Sequence, residues 1–264
     1  MATLVDCSVV NHGLGMGSHR RVWITGGSRG IGRGLVDGFV RAGYRVFTCA
    51  RRLPDLALPD GVGFAQADLR DADQVERVVT SCIDHLGGID LLINNAGGSP
   101  MVSANQASSR FSQKIVELNL LAPLYCATAA QTVMSEQADG GHVINIASVS
   151  GLRPSPHTAI YGASKAGLIH LSQSLAIEWA PRIRVNSVAL GLVETEASLE
   201  HYGGPRGVER VAQTVPIGRM ATPSDLTALC LYLDSPAAAY LTGACIPLHG
   251  GGEVPSFLDA AKGD

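Results

Sequence analysis

A chain of 264 residues, 46% of them hydrophobic, holds enough apolar material for one large α/β domain or two small ones. Its 20 basic and 23 acidic residues leave a net charge of −3, and no run of Lys or Arg forms a nucleic-acid surface. No apolar stretch is long enough to span a membrane. Cys7, Cys49, Cys82, Cys126, Cys230 and Cys245 form no Cys-x-x-Cys pair, and the histidines show no metal-ligand spacing. The N-terminus lacks the basic start and apolar core of a signal peptide, so a reducing, cytoplasmic setting is expected.

Residues 1–20 read as a loose extension. A regular alternation then begins: a strand at 21–25, a helix at 33–41, strands at 45–49 and 63–66, a helix at 71–85 and a strand at 90–94. One long helix is predicted over 110–137, followed by a strand at 142–146. A second long helix covers 161–179 and ends at Pro181, and a strand follows at 183–187. Residues 192–222 are irregular with a short helix near 206–214 and read as a lid. Pro223 opens a last helix to about residue 233, and 244–248 is the final strand. Continuous apolar strands alternating with helices predict an α/β fold, a doubly wound, Rossmann-type parallel sheet covered on both faces. No break divides the chain, so residues 21–252 form one domain, with a tail at 253–264. Ligands are expected at the carboxyl ends of the strands.

Directly after the first strand stands Thr25-Gly26-Gly27-Ser28-Arg29-Gly30-Ile31-Gly32. A glycine turn between strand and helix lets backbone amides approach a pyrophosphate, although an ordinary tight turn has the same composition. After the second strand come Arg51 and Arg52, where an acid would hold the ribose of NAD. Arg51 and Arg29 either clamp a 2′-phosphate, which favours NADP(H), or are solvated surface arginines. Asp68, followed by Leu69, either accepts from the adenine amino group or caps the next helix. Small residues in Asn95-Ala96-Gly97 permit close approach of a cofactor.

Tyr161 and Lys165 are four residues apart and share a helix face, with Ser148 thirteen residues upstream. Three lysines and six tyrosines would give this spacing about 0.07 times by chance. A nearby ammonium favours a phenolate, and moving a tyrosine from about 10 to about 7 takes roughly 4 kcal/mol. The bland alternative is a tyrosine snorkelling beside a lysine on an exposed helix.

Thr-Gly-x-x-x-Gly-Ile-Gly, Asn-Asn-Ala-Gly, Ser148 and Tyr161-Gly-Ala-Ser-Lys165, in this order, resemble the short-chain dehydrogenase/reductase family over about residues 20–252. The resemblance implies a seven-stranded sheet and hydride transfer between a nicotinamide and a carbonyl or alcohol. It implies Tyr161 as general acid, Ser148 as the holder of the substrate oxygen and Lys165 as the ribose contact. Asn119 is implied to help hold a water that relays protons toward Lys165. It also places Val193 and Thr195 against the nicotinamide amide. Ala189-Leu190-Gly191 departs from the Pro-Gly pair common after the sixth strand, which predicts a looser loop there. The general pattern is similar to 3-oxoacyl-carrier-protein reductases and polyketide ketoreductases.

The expected substrate is a mostly apolar ketone or its alcohol, lined by Ser99, Met101, Ser150, Leu152, His157, Leu199 and Tyr202. The reading is an NADPH-dependent carbonyl reductase. The alternatives are an NAD-dependent alcohol dehydrogenase and a non-catalytic nucleotide-binding sensor on the same fold. A homodimer or homotetramer is expected, with no nucleic-acid or membrane partner.

Overall fold

The computed structural model describes residues 19–196, 198 and 202–255; the rest of the expected extension and tail, and Leu199, lie outside the described residues. Seven strands form one parallel sheet: β1 (Arg21–Thr25), β2 (Arg45–Ala50), β3 (Gly63–Gln66), β4 (Leu91–Asn94), β5 (Gly141–Ile146), β6 (Ile183–Leu190) and β7 (Cys245–Leu248). Their order is β3-β2-β1-β4-β5-β6-β7, so the winding reverses between β1 and β4. A crevice opens at the carboxyl ends of the strands at such a reversal.

The helices are α1 (Gly30–Arg41), α2 (Ala72–Leu86), α3 (Ser109–Val116), α4 (Ala122–Glu136), α5 (Ala159–Trp179), α6 (Pro205–Gln213) and α7 (Pro223–Asp234). Successive strand residues face opposite sides. Trp23 therefore joins the core under α2, α4 and α5, while Val22 and Ile24 join the core under α1 and α7. Local chemistry marks the ends: Asp71 accepts from the backbone of Asp73 and Gln74 to start α2, and Gly87 at φ 79° ends it. Helix α7 starts on a reciprocal cap between Thr222 and Asp225. Helices α1 and α7 pack closely because Gly34 lies against Pro223 and Gly38 against Thr227; a Cβ would fall 2.2 and 2.6 Å from them.

Three expectations change. The single helix over 110–137 is two helices joined by a π turn at Glu117–Leu121. Pro123 has no N–H, and in a regular α-helix its ring would clash with the carbonyl of Asn119, four residues back, so the α ladder is interrupted there. The loop after β6 is tighter than predicted. Strand β6 runs on to Leu190, which pairs with Leu248, and Gly191 N donates to Leu248 O at 2.9 Å. Finally, α1 begins at Gly30 instead of residue 33, because the glycine turn leads straight into it. The lid segment is pinned at its base, where Val193 pairs with Ala221 and Glu194 N donates to Ala221 O at 2.8 Å.

Candidate active site

The glycine turn is built by two threonines. Thr48, fully buried in β2, donates to Ile24 O (2.7 Å) and accepts from Gly27 N (3.1 Å). Thr25 Oγ1 accepts from Asn95 N and Ala96 N, each at 3.0 Å, and ties the turn to the loop after β4. Asn95 completes this tie by donating its amide to Thr25 O at 2.9 Å, so its side chain braces the loop. Gly32 is required by packing, since a Cβ would sit 2.1 Å from Gly26 O. Gly30, at φ 54°, faces the opposite way, toward the Thr195 methyl and otherwise open space. Helix α1 has no side-chain cap and no acidic residue in its first turn. Its bare N–H groups and positive dipole end therefore fit the diphosphate of a dinucleotide. Ser28 and Ile31 flank this turn, and Thr195, after the pinned bridge at Val193, abuts it.

Arg29, Arg51 and Arg52 are exposed at the edge of this crevice, with side chains free of hydrogen bonds to described residues. Of the two roles open to Asp68, the structure removes the cap. Asp71 caps α2, and both oxygens of Asp68 are held by Arg70. The leading cause, the Arg70 hydrogen bond, keeps the Asp68 carboxyl below its usual range. The Leu69 side chain is buried in the core, leaving only its backbone for a ligand.

At the carboxyl end of β5, Ser148 Oγ accepts from Ser150 N at 3.1 Å and lies near enough to the Tyr161 phenol to favour its ionised form. Lys165 is buried, with Nζ 2.7 Å from Ile146 O and 5.8 Å from the centre of the Tyr161 ring. Burial pulls the Lys165 ammonium down to about 8. The expectation of a depressed phenol does not hold in this structure. Burial raises the Tyr161 pKa, opposed by the nearby Ser148 hydroxyl, while Lys165 Nζ donates to the Ile146 carbonyl. Burial therefore favours the protonated phenol.

Asn119 is fully buried on the π turn and engages backbone alone: Gly98 N donates to its Oδ1 (2.8 Å), and its Nδ2 donates to Gly98 O (3.0 Å) and Ile115 O (2.9 Å). A Cβ on Gly97 would meet Asn119 Oδ1 at 2.8 Å and Lys165 Nζ at 3.3 Å. Gly97, Asn119 and Lys165 thus converge beside Tyr161.

The residues expected to line a substrate pocket are not gathered into one. Ser99 and His157 line a cavity of about 320 Å³, with Phe111 and Ala163. Ser150 and Leu152 line another of about 600 Å³, also bounded by Ala163. Ala159 and Ala163, two residues either side of Tyr161 on α5, border both cavities. The loop from 150 to 158 carries its side chains there because it folds over the start of α5. His157 O accepts from Val102 N (2.8 Å), and Ser103 Oγ meets His157 Nδ1 at 3.0 Å. Met101 is 60% exposed and lines neither cavity, and Tyr202 is partly buried on the lid. Among the described residues no helix is long and apolar enough to cross a membrane.

Residues 20–202 match the short chain dehydrogenase family. Protein FixR of Bradyrhizobium diazoefficiens is 34% identical over 94% of this chain and 91% of its own. Galactitol 2-dehydrogenase of Agrobacterium fabrum is 33% identical over 86% of this chain and 95% of its own. The crystal structure of actinorhodin polyketide ketoreductase with NADPH is similar at a TM-score of 0.80, with 28% identity over 88% of this chain and 97% of that one. A Rossmann sheet with a glycine turn at its reversal defines a dinucleotide-binding oxidoreductase class. Within that class, the chain belongs to the short-chain dehydrogenase/reductase family.

Proposed function

We propose that the protein is an NADPH-dependent carbonyl reductase acting on a mostly apolar ketone, with Tyr161 as general acid. The observation that carries this reading is the placement of Ser148 beside the Tyr161 phenol at the crevice, with buried Lys165 on the same helix face. When bound, NADPH supplies the hydride. Ser148 Oγ, fixed by Ser150 N, holds the substrate oxygen, and Tyr161 Oη passes it a proton. Desolvation keeps that phenol protonated until the oxygen gains charge. Lys165 Nζ stabilises the phenolate left behind, most fully below about pH 8, where it remains charged. Asn119 fixes the Gly97–Gly98 loop beside Lys165. The preference for NADP(H) is supported by the exposed Arg29 and Arg51 and by the absence of an acid after β2. The apolar substrate is supported by Met101 and Leu152, large apolar side chains exposed on the loops after β4 and β5. Solvent-facing Ile177 on α5 supports a homo-oligomer formed across that helix.

Tyr161→Phe should lower turnover of a ketone panel, followed at 340 nm, by about a thousandfold, equivalent to roughly 4 kcal/mol. NADPH binding, followed by fluorescence, should change little. Undiminished activity in this variant would sink the assignment.

A further inference from the structure

Arg70 follows Asp68 by two residues at the carboxyl edge of β3 and approaches it from three directions. Its backbone N donates to Oδ1 at 3.2 Å, its Nε lies 2.9 and 3.1 Å from the two oxygens, and its Nη2 bonds Oδ2. The carboxylate is held in a fork that matches guanidinium geometry. The neighbourhood is fixed as well: Asp68 N donates to Gln74 Oε1 (2.9 Å), Ala67 N to Ala50 O (3.0 Å), and Gln66 Nε2 to Arg51 O (2.9 Å). These bonds bring Asp68 close enough to Arg51 for their charges to interact. Glu117, on the π turn, adds to the field on Arg70 from the other side. Apart from Arg70, the crevice edge here carries Arg29, Arg51 and Arg52, all exposed.

We infer that Arg70 is a positioning residue for cofactor choice: by holding Asp68 it keeps a bare carboxylate from opposing the phosphate that Arg29 and Arg51 face. This rests on the NADP(H) reading. An unneutralised Asp68 would repel a 2′-phosphate, yet would still accept from an adenine amino group, which both cofactors carry. Loss of Arg70 should therefore weaken NADPH binding selectively.

The test is fluorescence titration of the purified protein with NADPH and with NADH, giving a ratio of dissociation constants. Arg70→Ala should shift that ratio against NADPH by about fivefold, the size expected for one charge across a partly solvated gap. Adding Asp68→Asn to Arg70→Ala should restore the ratio, because no carboxylate is left to hold. Arg70→Lys, which keeps the charge, should retain most of it. A purely structural role would weaken both cofactors alike. That result, or a double variant that fails to recover, overturns the inference. Asp68→Asn alone leaves the arginines intact and should hold or raise the preference for NADPH; a fall would also overturn it. The cofactor reading is judged separately. It falls if the unaltered protein prefers NADH and Arg51→Ala leaves the ratio unmoved, whereas the shift caused by Arg70→Ala is measured from either starting preference.

Discussion

At the amino ends of the strands, the Asp234 side chain is fully buried and accepts from Arg20 Nε (2.9 Å), Arg20 Nη2 (3.0 Å) and Tyr44 Oη (2.8 Å). His142 stands 3.5 Å from it and is kept neutral, pulled down to about 4 chiefly by burial. Arg184 closes the cluster by donating to the carbonyls of Leu233 and Leu241. At the carboxyl ends, α1 is uncapped, Gly30 faces open space, and Arg29 and Arg51 point outward. One end of the sheet ties its buried charge to internal partners, and the other leaves exposed arginines and uncapped backbone donors. Stability and chemistry are thus separated along the strand direction, and substitutions at the two ends should be separable in measurement.

The largest effect belongs to the amino end. Asp234→Ala leaves Arg20 and Tyr44 without their acceptor and should cost about 3–5 kcal/mol of unfolding free energy. Urea titration measures this, and the ratio of NADPH to NADH affinity should not move. If the ratio moves, the two ends are coupled and the separation fails.

Lys165 comes next, because among the described residues it is the one buried lysine. Its pKa is lower in the folded chain, about 8 against an ordinary 10.5, so the unfolded chain binds more protons between those values. Stability relative to Lys165→Met should therefore rise with pH across that window, by about 2 kcal/mol between pH 7 and 9.5. Parallel pH curves for the two proteins would show that Lys165 titrates alike in both states. Thr48→Val should have the smallest effect on stability, about 1 kcal/mol, by leaving Gly27 N without its acceptor. It should nevertheless weaken binding of both cofactors, since the glycine turn loses its brace; unchanged titrations would show that the turn is held by packing alone.

The strands and the order of the motifs were legible because apolar runs and glycine turns are local signals. Ser148, Tyr161 and Lys165 were legible because their spacing places two of them on one helix face. The π turn had a signal in Pro123, which the apolar periodicity of the long helix masked. Thr48 also had one, a polar residue inside a buried strand. The Arg70–Asp68 fork had none, since a two-residue separation across a loop depends on backbone geometry that composition does not encode. The raised Tyr161 pKa was hidden for a similar reason: it comes chiefly from burial of the phenol, and helical spacing does not report how deeply a side chain is covered.

Gly34 and Gly38 let α1 rest on Pro223 and Thr227, which begin the helix that leaves the lid. The same short stretch, through Ala221, anchors the lid at its bridge to Val193. The helix that presents its bare amino end to a dinucleotide and the root of the flap above it therefore share one rigid joint. Beyond that joint stand Gly203 and Gly204, which adopt φ of 75° and 91°. A methyl group added at Gly34 would strike Pro223 directly and disturb the seat and its cover in a single stroke.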